Sequence, residues 1–149
     1  MTGLHAAVGI SVLATSLGAG LWGLWAWRTG AVAPGFWRLL RASQALLFAQ
    51  VLLGAALLVS GREPARLHTL YGLLPLGVSF IAEQLRLVSA DQVLARRDLE
   101  SARAMEGLPE AEQQAIVAEI VARETGVMAA SALVVFVLAL RAAGVTGFV

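Results

Sequence analysis

From Leu4 to Trp27 the chain runs for 24 residues without an Asp, Glu, Lys or Arg. A helix of that length, rising about 1.5 Å per residue, crosses roughly 30 Å of hydrocarbon. To bury such a run in water would take a large core, and this chain of 149 residues, 58% hydrophobic and 14% charged, has too little polar surface to cover one. The run is also too long, and begins too early, for a cleavable signal peptide with a charged leader, so it is expected to stay as an anchor. It ends in W-G-L-W-A-W-R, three tryptophans and an arginine, the composition of a membrane–water boundary.

Three further apolar segments follow, and together they predict an all-α integral membrane four-helix bundle, a single domain over residues 1–149. The expected spans are 4–27, 37–60, 66–86 and 125–142. The second is extended by Arg38 and Arg41, whose long side chains reach the boundary. Arg28 to Gly35, with Pro34 and two glycines, makes the first turn, and Pro64 suits the first turn of the third helix. Residues 86–106 contain no Pro or Gly and keep apolar residues at helical spacing, so the third helix is expected to continue into water. Gly107, Leu108 and Pro109 break it, and a fourth helix begins with acids in its first turn, where the dipole favours them. Helices three and four are thus extended as a hairpin over residues 87–124. Arg28, Arg38, Arg41, Arg86, Arg96, Arg97, Arg103 and Arg123 fall on the hairpin side, against Arg62, Arg66 and Arg141 on the other. By the positive-inside tendency the hairpin is cytoplasmic, both chain ends are external, and the location is the plasma membrane.

The absence of cysteine excludes disulfides, thiolate metal sites and covalent haem attachment, and the net charge of +1 gives no case for a nucleic-acid partner. No phosphate loop or nucleophile with its base is present. What remains is polar chemistry inside the bilayer, the lipid bilayer being the one certain partner. The only two histidines share a pattern: G-L-H-A-A-V-G at 3–9 and R-L-H-T-L-Y-G at 66–72. Each histidine stands four residues before a glycine. Because segments one and three run in the same direction, His5 and His68 are expected at one depth near the external face. His5, Gly9, Ser16, Gly20 and Gly23 form one helical stripe, and His68, Gly72, Pro75, Ser79 and Glu83 another. Stripes of small residues point into a bundle, where they permit close approach.

Two inward imidazoles at one depth on alternate helices can ligate the iron of a haem b, with His5 and His68 as axial ligands. Gly9 and Gly72, one turn below, leave room for the porphyrin beside the backbone. Arg62 and Arg66, in the adjacent loop, suit its propionates. The plainer alternative takes each histidine as a boundary residue and each stripe as helix packing alone.

The stretch A-L-L-F-A-Q-V-L-L-G-A-A-L-L-V-S-G followed by L-H-T-L-Y-G-L-L-P-L resembles the helix, short loop and histidine-bearing helix of haem A synthases and other four-helix membrane b-type cytochromes. The resemblance covers about residues 44–80. It implies a histidine pair from alternate helices on one haem, which carries over to His68 and to His5. Haem A synthases duplicate the bundle and place a glutamate four residues before a catalytic histidine. This chain has one bundle and no such glutamate ahead of His5, so the resemblance implies one haem site without haem A synthesis.

Three functions follow as expectations. The first is a haem b protein for electron transfer or haem handling, not itself an enzyme, working as a subunit among other membrane respiratory proteins. The second is a cofactor-free scaffold that binds a partner through its hairpin. The third is a metal or ion transporter using His5, His68 and Glu63. Elsewhere, Glu83 is expected to pair with Arg86 or an arginine of segment two, and Gln44 and Gln50 to bond between helices.

Overall fold

The computed structural model describes residues 2–145, and within them the chain forms four long helices: α1 (Thr2–Thr29), α2 (Pro34–Val59), α3 (Arg66–Ala95) and α4 (Glu110–Val145). All four are long and apolar enough to cross a membrane, so the chain is a multi-pass membrane protein by length and composition. Residue 1 and residues 146–149 lie outside the described residues, and with them half of the small-residue tail after Arg141.

Each of the first three helices is closed by a residue in the left-handed region. Gly30 (φ 67) ends α1, and the Ala31 N–H bonds back to the Ala26 carbonyl. Gly61 (φ 82) ends α2, with Gly61 N–H on Leu58 O and Arg62 N–H on Leu57 O. These are Schellman closures, which pair carbonyls that the helix end leaves alone. Pro34 opens α2 at its first position, where a missing N–H costs nothing. Pro64 falls outside the expected first turn of α3, because the cap is Ala65 and the helix begins at Arg66.

The third closure departs from the sequence expectation. The helical pattern through residue 106 is interrupted, since α3 stops at Ala95 and a 3-10 turn occupies Ala102–Gly107. Asp98 takes φ 56, Asp98 N–H bonds Ala95 O, and Leu99 N–H bonds Leu94 O. The closure is therefore a Schellman motif built on aspartate, one of the few side chains besides glycine that tolerates this backbone. Its reward is packing. Leu99 covers buried Leu94, and with Val93 and Ile116 they form a small core, joined by Met105, Leu108 and Ile120, that is shared only by the ends of α3 and α4 and the link between them. Glu119 on α4 ties the same ends together, accepting from Arg96 and from Arg97 (2.9 Å). Arg97's hydrogen bond, with the charges of Arg96, Arg97 and Arg123, holds the Glu119 carboxyl below the usual range despite some desolvation.

In the bundle α4 packs along both α1 and α3, and α1 along α2, whereas α2 and α3 meet over a much smaller area. Small residues make the α1–α4 approach close: Ala19, Gly20, Gly23 and Ala26 are buried on α1, facing Met128, Ala129 and Ala132. A Cβ on Gly23 would stand 2.8 Å from the Ala129 Cβ. Phe36 and Leu40 of α2 complete this core, and a second apolar layer of Val12, Leu47 and Val135 lies nearer the histidines.

Candidate functional site

His5 sits in the second turn of α1, and His68 in the first turn of α3. Both are half-buried, and the fold brings their ring centres to 6.0 Å, edge to face at an interplanar angle of 64°. The two residues come from helices that do not otherwise pack closely, so the approach is made by the side chains themselves.

Their remaining contacts come from the other two helices. His68 Nδ1–H donates to the Ala142 carbonyl on α4 (3.0 Å), which fixes the tautomer and leaves Nε2 as a bare acceptor. His5 Nε2 faces the Gln50 amide of α2 at 3.2 Å. With the amide nitrogen donating, Nε2 accepts and His5 Nδ1 carries the ring hydrogen; among the described residues that Nδ1 and Gln50 Oε1 are buried without a hydrogen-bond partner. Unpaired polar atoms of this kind cost about 1–3 kcal/mol each. All four helices thus contribute to one end of the bundle, and among the described residues two buried polar atoms there are unpaired.

The two glycines of the repeated pattern differ in surroundings. A Cβ on Gly9 would come 2.9 Å from Gln50 Nε2, so that position is filled by the amide that holds His5. A Cβ on Gly72 would meet nothing within 4 Å. Pro75, buried in α3, removes one backbone bond within a turn of Gly72. Arg62 and Arg66 lie exposed on the approach to α3 at this same end, and neither forms an ion pair among the described residues. Arg141 lies over the Tyr71 ring at 5.9 Å.

At the far end, Glu83 accepts from Arg41 (2.5 Å) and Arg86 (3.0 Å), the arginine partners sequence reasoning anticipated, and also from Gln44 (2.8 Å), which it did not assign to Glu83. Arg86 also reaches Glu124 of α4 (3.7 Å). With donors on both oxygens this carboxylate clamps α2, α3 and α4 rather than offering a free base. Beside it lies a cavity of about 10 Å³, lined in part by Ser43, Ser79 and Ser131, room for a single water. The layer of Val12, Leu47 and Val135 separates this polar group from the histidines.

Gln50 and the Ala142 carbonyl are the partners that sequence reasoning did not assign to the histidines. Gln50 lies four residues before Gly54, whose Cβ would be 3.4 Å from the His5 ring, a spacing that hints at a shared face but not at its partner. A backbone carbonyl leaves no signal in sequence at all. Among the described residues no group of three or more His, Asp or Glu gathers to hold a bare metal ion, and Glu63 is exposed. No family model matches this chain, and no curated protein or solved structure matches it either.

Proposed function

We propose that the chain is a haem b-binding membrane protein for electron transfer or haem handling, acting as a subunit of a larger respiratory assembly with its hairpin on the cytoplasmic side. One observation carries this reading: His5 and His68 face each other at 6.0 Å between ring centres, and among the described residues His68 Nε2 has no hydrogen-bond partner. Two imidazoles bound to one ion through bonds of about 2 Å place their ring centres on the order of 6 Å apart. An edge-to-face aromatic contact would also sit at this distance, so the spacing agrees with both. The buried His5 Nδ1 and Gln50 Oε1, unpaired among the described residues, leave this end incompletely satisfied, which favours a bound group that rearranges it.

The residues present fit such a group. His5 and His68 would hold the iron, Gly72 faces open space, and Arg62 and Arg66 are free to pair with carboxylates. Ala142 holds His68 in the tautomer that ligates through Nε2, while His5 would present Nε2 to iron only on releasing the Gln50 amide. The Val12, Leu47 and Val135 layer excludes water from the inner side. The small contact between α2 and α3 leaves that side of the bundle the easiest to part. A bound haem b supplies one-electron exchange at iron.

The test is the absorption spectrum of protein expressed with adequate haem, oxidised and then dithionite-reduced. A Soret band that shifts on reduction and is lost in His5→Ala and His68→Ala is expected. No band in the wild-type protein, or a band that both variants keep unchanged, refutes the reading.

The scaffold reading has its own support in Val117 (49% exposed) and Val121 (44% exposed), one turn apart on the first half of α4. Deletion of the segment 89–118 with no change in co-purifying proteins would count against it.

A further inference from the structure

At the end of the bundle remote from the histidines, a groove of about 500 Å³ opens between the ends of α1, α3 and α4. One end is polar, with Trp27, Gln92 and Arg123 in its wall, and the other is apolar, with Leu85 and Val127. Trp27 lies across the backbone of α4, where a Cβ on Gly126 would stand 2.9 Å from its indole nitrogen. Its N–H makes no hydrogen bond among the described residues, and with exposed Trp22 and Trp25 it marks the boundary depth.

Arg123 is weakly engaged. It reaches Gln92 Oε1 at 3.4 Å and Glu119 at 4.0 Å, both near the limit of useful contact, because Glu119 is already held by Arg96 and Arg97. Three arginines share the one carboxylate of Glu119, so it does not neutralise Arg123. A guanidinium with free N–H groups beside an indole N–H suits a phosphate, and the fork geometry favours binding through two oxygens. A free phosphate would gain nothing from Leu85 and Val127, whereas an acyl chain would bury against them.

We propose that this groove binds one membrane phospholipid, its phosphate on Arg123 and the Trp27 N–H and an acyl chain along Leu85 and Val127. The proposal rests on the membrane character of the chain and is independent of haem. The test is titration of the purified full-length protein in detergent with phosphatidylglycerol, with bound lipid counted by native mass spectrometry. One tightly bound lipid is expected, weakened about tenfold or more in Arg123→Gln and severalfold in Trp27→Phe, which keeps the ring and removes the N–H. Arg103→Gln, the same charge change outside the groove, should bind as wild type. If Arg123→Gln loses its helical circular dichroism, Trp27→Phe carries the comparison. Retention of wild-type affinity in every folded groove variant overturns the proposal. So does equal binding of diacylglycerol, which lacks the phosphate, or displacement of the lipid by inorganic phosphate at equal concentration.

Discussion

Gly72 separates the haem reading from plain helix packing, because it is a position where the protein alone and the protein with a ligand make opposite demands. A Cβ there meets no heavy atom within 4 Å, so Gly72→Ala has no steric cost in the protein itself. A glycine inside a helix is worse than alanine by roughly 0.5–1 kcal/mol, so the variant without haem should be more stable by about that amount. If a porphyrin lies against this face, the added methyl presses on it, and overpacking of that kind costs about 1–3 kcal/mol. At 1.4 kcal/mol per decade this is a loss of roughly 5- to 150-fold in haem affinity. Gly72→Phe should go further and abolish binding while leaving the helices intact. The two quantities are read from thermal unfolding of the haem-free protein in detergent and from hemin titration at the Soret band. Gly9→Ala is the companion, since its methyl would push the Gln50 amide, the mobile end of a side chain, off His5. The reasoning is wrong if Gly72→Ala and Gly72→Phe both bind hemin with wild-type affinity, or if Gly72→Ala destabilises the haem-free protein.

Three more outcomes are expected. Gly23→Ala should destabilise by about 1–3 kcal/mol, measured by thermal unfolding, because its methyl meets the Ala129 Cβ, which is fixed to the backbone and cannot swing away. Asp98→Gly should be neutral or stabilising by up to about 1 kcal/mol by the same measurement, since the left-handed backbone at φ 56 strains any L side chain. The Glu119 clasp is pH-dependent: its carboxyl titrates below the usual range in the folded hairpin, so its contribution is complete above the ordinary glutamate pKa and lost as pH falls through the lowered folded value. Amide hydrogen exchange around Ile116 and Ile120, corrected for the intrinsic rate, should accelerate on acidification through that window, and Glu119→Gln should remove the dependence.

The sequence by itself determined the class of this protein and most of its helix ends. An apolar run long enough to cross a bilayer has only a few solutions, because backbone groups in hydrocarbon must pair within their own segment, and a helix does this with local bonds alone. For the same reason Gly30 and Pro34 were readable as punctuation: each acts on the backbone beside it. The end of α3 was not readable. Asp98 reaches its conformation because Leu99 and Leu94 then cover a core completed by Ile116, and nothing in the local sequence says that this core will form. The histidines divide in the same way. Their shared pattern and their common inward phase are periodic features of single helices, but that His5 meets Gln50, 45 residues on, and that His68 donates to the carbonyl of Ala142, 74 residues on, depends on how four helices pack. The packing is itself uneven, close where α1 and α4 present glycine and alanine to each other and slack between α2 and α3. Small residues can be counted in a sequence. Which neighbour they let approach is decided only when every helix competes for the same contacts in three dimensions.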